Sequence, residues 1–286
     1  MSALATLPVV QFVIGLREGV EAALVVGIVA TFLYQSGRGD ALRWMWAGVA
    51  LAIAVCLVVA GVLEVVDQNL PQRRQEGFEA IVGVVAVAMV TYMIVYMRRH
   101  AREMGGELRG GAARALAVGS AWSLIAMAFL AVMREGLETA LFLLATFQSS
   151  LGVSPLGAGL GALAGLLVAA AIGWGIYRGG VRLDLSRFFR ATAVLLVIIA
   201  AGLLSSAVHH AAEAGMFTGL SDQALDLSAV IVPSSDSVTT GLITGLFGIY
   251  PFPTDAEVLV WLLYAVPILA FVLWPTALPR RRLDTA

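Results

Sequence analysis

The chain contains no lysine, and all 18 of its basic residues are arginine. A GC-rich coding bias is sufficient to account for that. A single cysteine, Cys56, excludes an intrachain disulfide and a thiolate-built metal centre. There are three histidines and no His-Glu-x-x-His string, which removes the usual zinc-hydrolase arrangement. Charge is also scarce, with 13% of residues ionised against about 25% in soluble domains. What is present instead is apolar: 60% of the 286 residues are hydrophobic and the mean hydropathy is +0.91. These values predict an all-α integral membrane protein, a single transmembrane domain over residues 1–286. The first apolar stretch holds charges and exceeds a signal-peptide core in length, so it reads as a retained helix.

Seven segments are long enough to cross a hydrocarbon layer, which takes about 20 helical residues. They are 7–34, 44–66, 78–97, 115–148, 156–177, 191–212 and 255–275. The links 35–43, 98–114 and 178–190 and the C-terminal tail hold 14 arginines, whereas 67–77 holds two and 149–155 and 213–254 hold none. Positive charge marks the cytoplasmic side, so the N-terminus is expected outside and the C-terminus inside, in the cytoplasmic membrane. Ten acids then lie on or near the outer face against two arginines. Such a surface concentrates cations, although sorting of arginine alone would also leave acids outside. Segments one to three (7–97) and four to six (115–212) form two units of three. An odd number gives the units opposite orientation, the pattern of an inverted-repeat transporter, with segment seven outside it. The outer loop 213–254 carries apolar runs, and Asp236 or Ser237 could cap a short helix ending near Gly248.

Two strings stand out: Arg17-Glu18-Gly19-Val20-Glu21 and, 117 positions later, Arg134-Glu135-Gly136-Leu137-Glu138. Each lies within an apolar segment, where an ionisable side chain at the bilayer centre costs about 2.5–3.5 kcal/mol on insertion scales. On a helix, Glu21 lies about 40° and Glu18 about 100° from Arg17, so all three share one sector. Gly19 points about 200° away, where a neighbouring helix can approach. Two such helices crossing would collect four carboxylates and two guanidinium groups with net charge −2. An arginine can hold one carboxylate by a bidentate pair while the others face an ion. A buried ion-pair lock between helices would need no surplus negative charge. The surplus instead predicts a site that binds a hard cation, protons, or each in turn.

An Arg-Glu-Gly-x-Glu string in the first and fourth of seven helices resembles the iron permease family. That family includes fungal ferroxidase-coupled iron permeases and bacterial EfeU-like counterparts. Val20 stands where the typical string has leucine. The resemblance implies an iron pathway formed by Arg17, Glu18, Glu21, Arg134, Glu135 and Glu138, with Glu18, Glu21, Glu135 and Glu138 as the metal ligands. It also implies transport rather than catalysis, with no tightly bound cofactor and ferric ion (Fe3+) as cargo. An extracytoplasmic ferroxidase, peroxidase or iron-binding partner would deliver the ion. Permeation of manganese or lead is the alternative, and an intramembrane glutamate- or metal-dependent protease is a weaker one. On the transport reading, ions gather at the outer acids and pass to the buried carboxylates. Movement of one repeat against the other then exposes them inward.

Further residues fit a site of ion capture at the outer mouth. Glu76 and Glu79 are an (i, i+3) pair at the start of segment three. His209, His210 and Glu213 close segment six, and imidazole with carboxylate suits a transition metal. A polar helix end meeting water is the favoured explanation of the histidine cluster. Asp236, Asp255 and Glu257 are weaker candidates in exposed positions. Met89, Met93 and Met97 form a stripe that reads as packing, and Gly157, Gly161 and Gly165 read as a helix-packing face.

Overall fold

The computed structural model describes residues 9–100, 104–117, 121–149, 155–177, 185–216, 223–224, 226, 248 and 251–274. Eight helices account for nearly all of them: α1 (Val9–Gln35), α2 (Leu42–Asn69), α3 (Gln72–His100), α4 (Met104–Ala117), α5 (Ala121–Ser149), α6 (Pro155–Tyr177), α7 (Leu185–Glu213) and α8 (Asp255–Leu273). Among the described residues there is no strand, only an isolated antiparallel bridge between Gln223 and Thr254. The protein is all-α, as composition requires.

Helix ends follow local chemistry. Leu70 takes an extended conformation (φ −78°, ψ 144°), which suits a residue before proline. Pro71 then opens α3, its carbonyl accepting from the Arg74 amide at 2.8 Å. α3 therefore begins six residues before the expected start at 78. Pro155 starts α6 in the same manner. Thr254 caps α8, its hydroxyl accepting from the Glu257 amide at 3.4 Å. The expected cap at Asp236 or Ser237 lies outside the described residues.

One correction concerns the stretch read as the link 98–114. Residues Met104–Ala117 form α4, and the fourth long helix starts at Ala121 rather than at 115. Glycine and arginine there suggested a loop. The helix survives because Ala112 and Ala115 are buried in one cluster with Val29, Leu33, Met45 and Leu124, while Arg109 and Arg114 stay exposed. α7 likewise extends to Leu185 and takes in Arg187 and Arg190 from the link 178–190.

Five helical segments are long and apolar enough to cross a membrane: Gly39–Asn69, Gln72–Arg98, Leu156–Gly175, Arg187–Glu213 and Asp255–Leu273. α1 and α5 are as long, at 27 and 29 residues, but each carries three charged side chains. The helices pair closely: α1 with α6, α2 with α5, α3 with α7, and α7 with α8, while α1 and α5 touch each other. At the α1–α6 crossing a Cβ on Gly165 would overlap the backbone of Phe12 and Leu16, so the two helices are in backbone contact. The larger core joins α1, α3, α5, α7 and α8 through residues such as Ile14, Val90, Phe142, Leu196 and Val272. Leu57, Val58, Leu167 and Leu263 instead point outward and are largely exposed, apolar surface of the sort a bilayer covers.

A buried carboxylate centre between the first and fifth helices

Both charged strings fall in mid-helix, on the faces that α1 and α5 turn toward each other. The glycine in each string lets a third helix close in behind it. A Cβ on Gly19 would sit 2.7 Å from the Ala169 methyl on α6, and one on Gly136 would sit 2.5 Å from Cys56 Sγ on α2. The expected close approach at Gly19 is therefore present, and the second string has its counterpart. Gly136→Ala lowers thermal stability in detergent by about 1–3 kcal/mol, the usual cost of over-packing. Adding Cys56→Ala, which removes the clashing sulfur, restores most of it. Equal melting of Gly136→Ala and the unmodified protein would show that this contact yields freely.

Arg17 is 1% exposed. Its two terminal nitrogens divide between two carboxylates, Nη1 to Glu18 Oε1 at 2.8 Å and Nη2 to Glu21 Oε1 at 3.1 Å. This bridging replaces the bidentate pair expected from sequence, because Glu18 and Glu21 share one sector of the helix with the arginine. Nη2 also donates to Met93 Sδ at 2.7 Å, giving the central member of the methionine stripe a polar contact. Arg134 behaves differently. Its Nε lies 3.2 Å from Glu138 Oε1 and 3.8 Å from Glu135 Oε1, but its side chain is 44% exposed. The guanidinium carbon stands 5.5 Å from the centre of the Tyr96 ring on α3. The two strings are thus alike in sequence and unlike in the burial of their cation.

The carboxylates converge. Glu18, Glu21 and Glu135 each place an oxygen within 4.8 Å of the others, all three being buried. Glu138 is buried too, and its charge acts on Glu18. Each of the four keeps one buried oxygen without a hydrogen-bond partner: Glu18 Oε2, Glu21 Oε1, Glu135 Oε2 and Glu138 Oε2. Arg17 reaches Glu21 Oε1 as an ion pair without hydrogen-bond alignment. A buried polar atom left unpaired costs about 1–3 kcal/mol, more when charged. The converging carboxylates of Glu18, Glu21 and Glu135, with Glu138 buried beside them, form a ligand set for a cation that accepts oxygen donors.

About two helical turns from Glu18 toward the start of α1, a cavity of about 320 Å³ opens between α1, α2, α5 and α6. Gln11, Leu63, Glu64, Leu143, Leu144 and Phe147 line it. Gln11 is 1% exposed and its Nε2 has no hydrogen-bond partner. Sequence reasoning passed over Gln11, Met93 and Tyr96, none of which carries a formal charge.

The residues predicted for the outer mouth divide. Glu76, Glu79, His209, His210, Glu213 and Glu257 gather at the adjoining ends of α3, α7 and α8. Asp255 faces outward on the first turn of α8, apart from them. Asp236 lies outside the described residues. Asp67, at the end of α2, joins this group through its charge on Glu79 and His210, although the sequence marked it only as one outer acid among ten.

Comparison with known proteins agrees with this chemistry. The profile of the Iron permease FTR1 family matches residues 9–279. The protein named "Ferrous iron permease EfeU" from Escherichia coli O6:K15:H31 is 42% identical over 271 residues, covering 94% of this chain and 96% of its own. Its namesakes from Shigella sonnei and Yersinia pestis are 41% and 40% identical, covering 94% and 93% of this chain and 96% and 93% of their own. No solved structure matches. Permease relatives and several apolar helices identify a multi-pass membrane transporter rather than an enzyme. Charged strings repeated in paired helices, buried carboxylates and full-length similarity lead to one statement: the chain belongs to the iron permease FTR1 family.

Proposed function

We propose that this protein imports iron across the cytoplasmic membrane through the centre formed by Glu18, Glu21, Glu135 and Glu138. The observation that carries this reading is the set of four buried carboxylate oxygens, one per glutamate, each without a hydrogen-bond partner. With Arg17 and Arg134 the centre is two charges short of neutral, and a metal cation or protons make up the difference. α1 and α5 count as membrane-crossing helices here, giving seven with α2, α3, α6, α7 and α8. Helix pairing supports an inverted repeat. Exchanging α1, α2 and α3 for α5, α6 and α7 maps the α1–α6 contact onto α5–α2 and leaves α1–α5 and α3–α7 unchanged. The amino terminus is outside and the carboxyl terminus inside, following arginine.

The cargo is ferric ion, supplied by an extracytoplasmic oxidase or iron-binding partner. Hard, all-oxygen ligation supports this choice. The relatives' name favours the ferrous ion, which makes that oxidation state the second reading. Protein reconstituted in liposomes and given radioactive iron decides. Uptake from a ferric chelate without reductant, exceeding uptake from ferrous ion under ascorbate, is the expected result. Uptake under ascorbate alone replaces ferric by ferrous as the cargo. Full suppression of iron uptake by equimolar manganese or lead would point to another cation, and no uptake of any metal would end the reading.

A further inference from the structure

The outer ends of α2, α3, α7 and α8 carry a second cluster, built from other chemistry than the buried centre. His210 Nδ1 lies 2.6 Å from Glu76 Oε2 and 3.2 Å from Glu79 Oε2. Facing carboxylates, which only accept, Nδ1 must carry the proton. In the neutral ring the lone pair then sits on Nε2, which is buried and has no hydrogen-bond partner. A carboxylate that fixes the tautomer of a histidine and leaves the far nitrogen bare is the arrangement found behind metal-ligating imidazoles. The neighbouring residue shares the carboxylate at Nδ1 but has a second one at Nε2. His209 Nδ1 lies 2.9 Å from Glu257 Oε1, and His209 Nε2 lies 3.5 Å from Glu213 Oε1. The two rings stand edge to face, 5.9 Å between centres.

Two further observations point to a ligand. Glu257 is only 2% exposed, yet its Oε2 has no hydrogen-bond partner. Ligand atoms of Glu76, His210 and Glu213 lie within 4.8 Å of one another. Asp67 adds a fifth carboxylate to Glu76, Glu79, Glu213 and Glu257. Against them stands Arg73, whose Nε donates to the Ala214 carbonyl at 2.8 Å and whose Nη2 borders Gly215. Glu213 is half exposed while Glu257 is enclosed, so the cluster opens outward on one side.

We propose that this cluster is a second metal site, taking a first-row transition-metal cation through His210 Nε2 with a carboxylate oxygen of Glu213. Glu76, Glu79 and the His209–Glu257 pair position these ligands. Mixed imidazole and carboxylate ligation suits transition ions and discriminates against magnesium and calcium, which prefer oxygen alone. The site captures ions ahead of the buried centre; that role rests on the transport reading above, whereas the binding itself does not.

The test uses the full-length protein in detergent, titrated with Mn2+ and read by pulsed electron paramagnetic resonance. A directly bound imidazole couples its nitrogen to the manganese spin, and the all-carboxylate centre does not. The unmodified protein is expected to show both a nitrogen-coupled and a nitrogen-free ion. His210→Ala removes the nitrogen coupling and keeps the nitrogen-free signal, which doubles as a control for folding. Where His210→Ala loses both signals, Glu213→Gln decides, since that side chain is half exposed. It weakens binding of the nitrogen-coupled ion at least about fivefold, and unchanged binding overturns the proposal. Absence of nitrogen coupling in the unmodified protein, or its persistence in His210→Ala, also overturns it. A nitrogen-coupled ion without a nitrogen-free one supports this site and counts against the buried centre instead.

Discussion

Glu18→Gln and Glu138→Gln each lower iron uptake by proteoliposomes at least about 100-fold, with the protein still folded and inserted. Glutamine keeps the volume and hydrogen-bonding reach of glutamate, so packing around α1 and α5 is retained. What is lost is one negative charge and one anionic ligand. The centre drops from two surplus negative charges to one. Removing one partner of a buried charge pair costs about 3–5 kcal/mol. At about 1.4 kcal/mol per decade, that is two to three decades or more in ion affinity. Glu18 and Glu138 belong to different strings, so equal losses in both variants show that the two helices build one centre. Uptake within a factor of three of the unmodified protein in both variants would remove the centre from the transport path. Ferric uptake is one readout; equilibrium binding of Mn2+ to the same variants is an independent one.

Arg17→Ala destabilises the protein by about 3–5 kcal/mol, while Arg134→Ala costs about 1 kcal/mol or less. The strings would be interchangeable if sequence alone decided. Arg17, however, is enclosed, and its two terminal nitrogens serve Glu18, Glu21 and Met93 at once. Taking it away leaves two buried carboxylates with no cation beside them. Arg134 is 44% exposed, and solvent screens much of its attraction to Glu135 and Glu138. Melting curves in detergent give the ranking directly. Glu21→Gln added to Arg17→Ala recovers part of the loss, because it deletes one of the stranded charges. Equal melting temperatures for the two arginine variants would contradict the difference in burial.

Much of the site was legible in the sequence because charge inside an apolar helix is conspicuous. Arg17, Glu18, Glu21 and their counterparts could be found from hydropathy and spacing, and the glycines from their place on the opposite face. The neutral residues could not be found in that way. Gln11, Met93 and Tyr96 differ from ordinary helix residues only in what lies across from them, and that depends on which helices pair. The same limit explains α4. Among its described side chains the buried ones are two alanines, Ala112 and Ala115, too small to register against five arginines in the surrounding stretch. At the adjoining ends of α3, α7 and α8 the reverse occurred. Glu76, Glu79, His209, His210, Glu213, Asp255 and Glu257 were visible as polar residues, but only the register of α3, α7 and α8 separates Asp255 from the rest. Glu257 is set inward by the first turn that Thr254 caps, and Asp255 by the same turn is set outward.

The pairing of helices also bears on what can move. α1 is joined to α6 through backbone contact at Gly165, and α5 is joined to α2 through Gly136 and Gly48. Each motif helix is therefore clasped by a helix from the other half of the chain. Helices α1–α3 and α5–α7 are interleaved, and neither set can rock as a body without parting two interfaces in which glycines bring the backbones into contact. The seam with fewer constraints runs between the α1–α6 pair and the α2–α5 pair, where the four carboxylates meet. Sliding along that seam by a fraction of a helical turn would spread Glu18 and Glu21 away from Glu135 and Glu138. The coordination shell itself would then be the hinge line, loosening its hold on an ion in the same motion that opens a way past it.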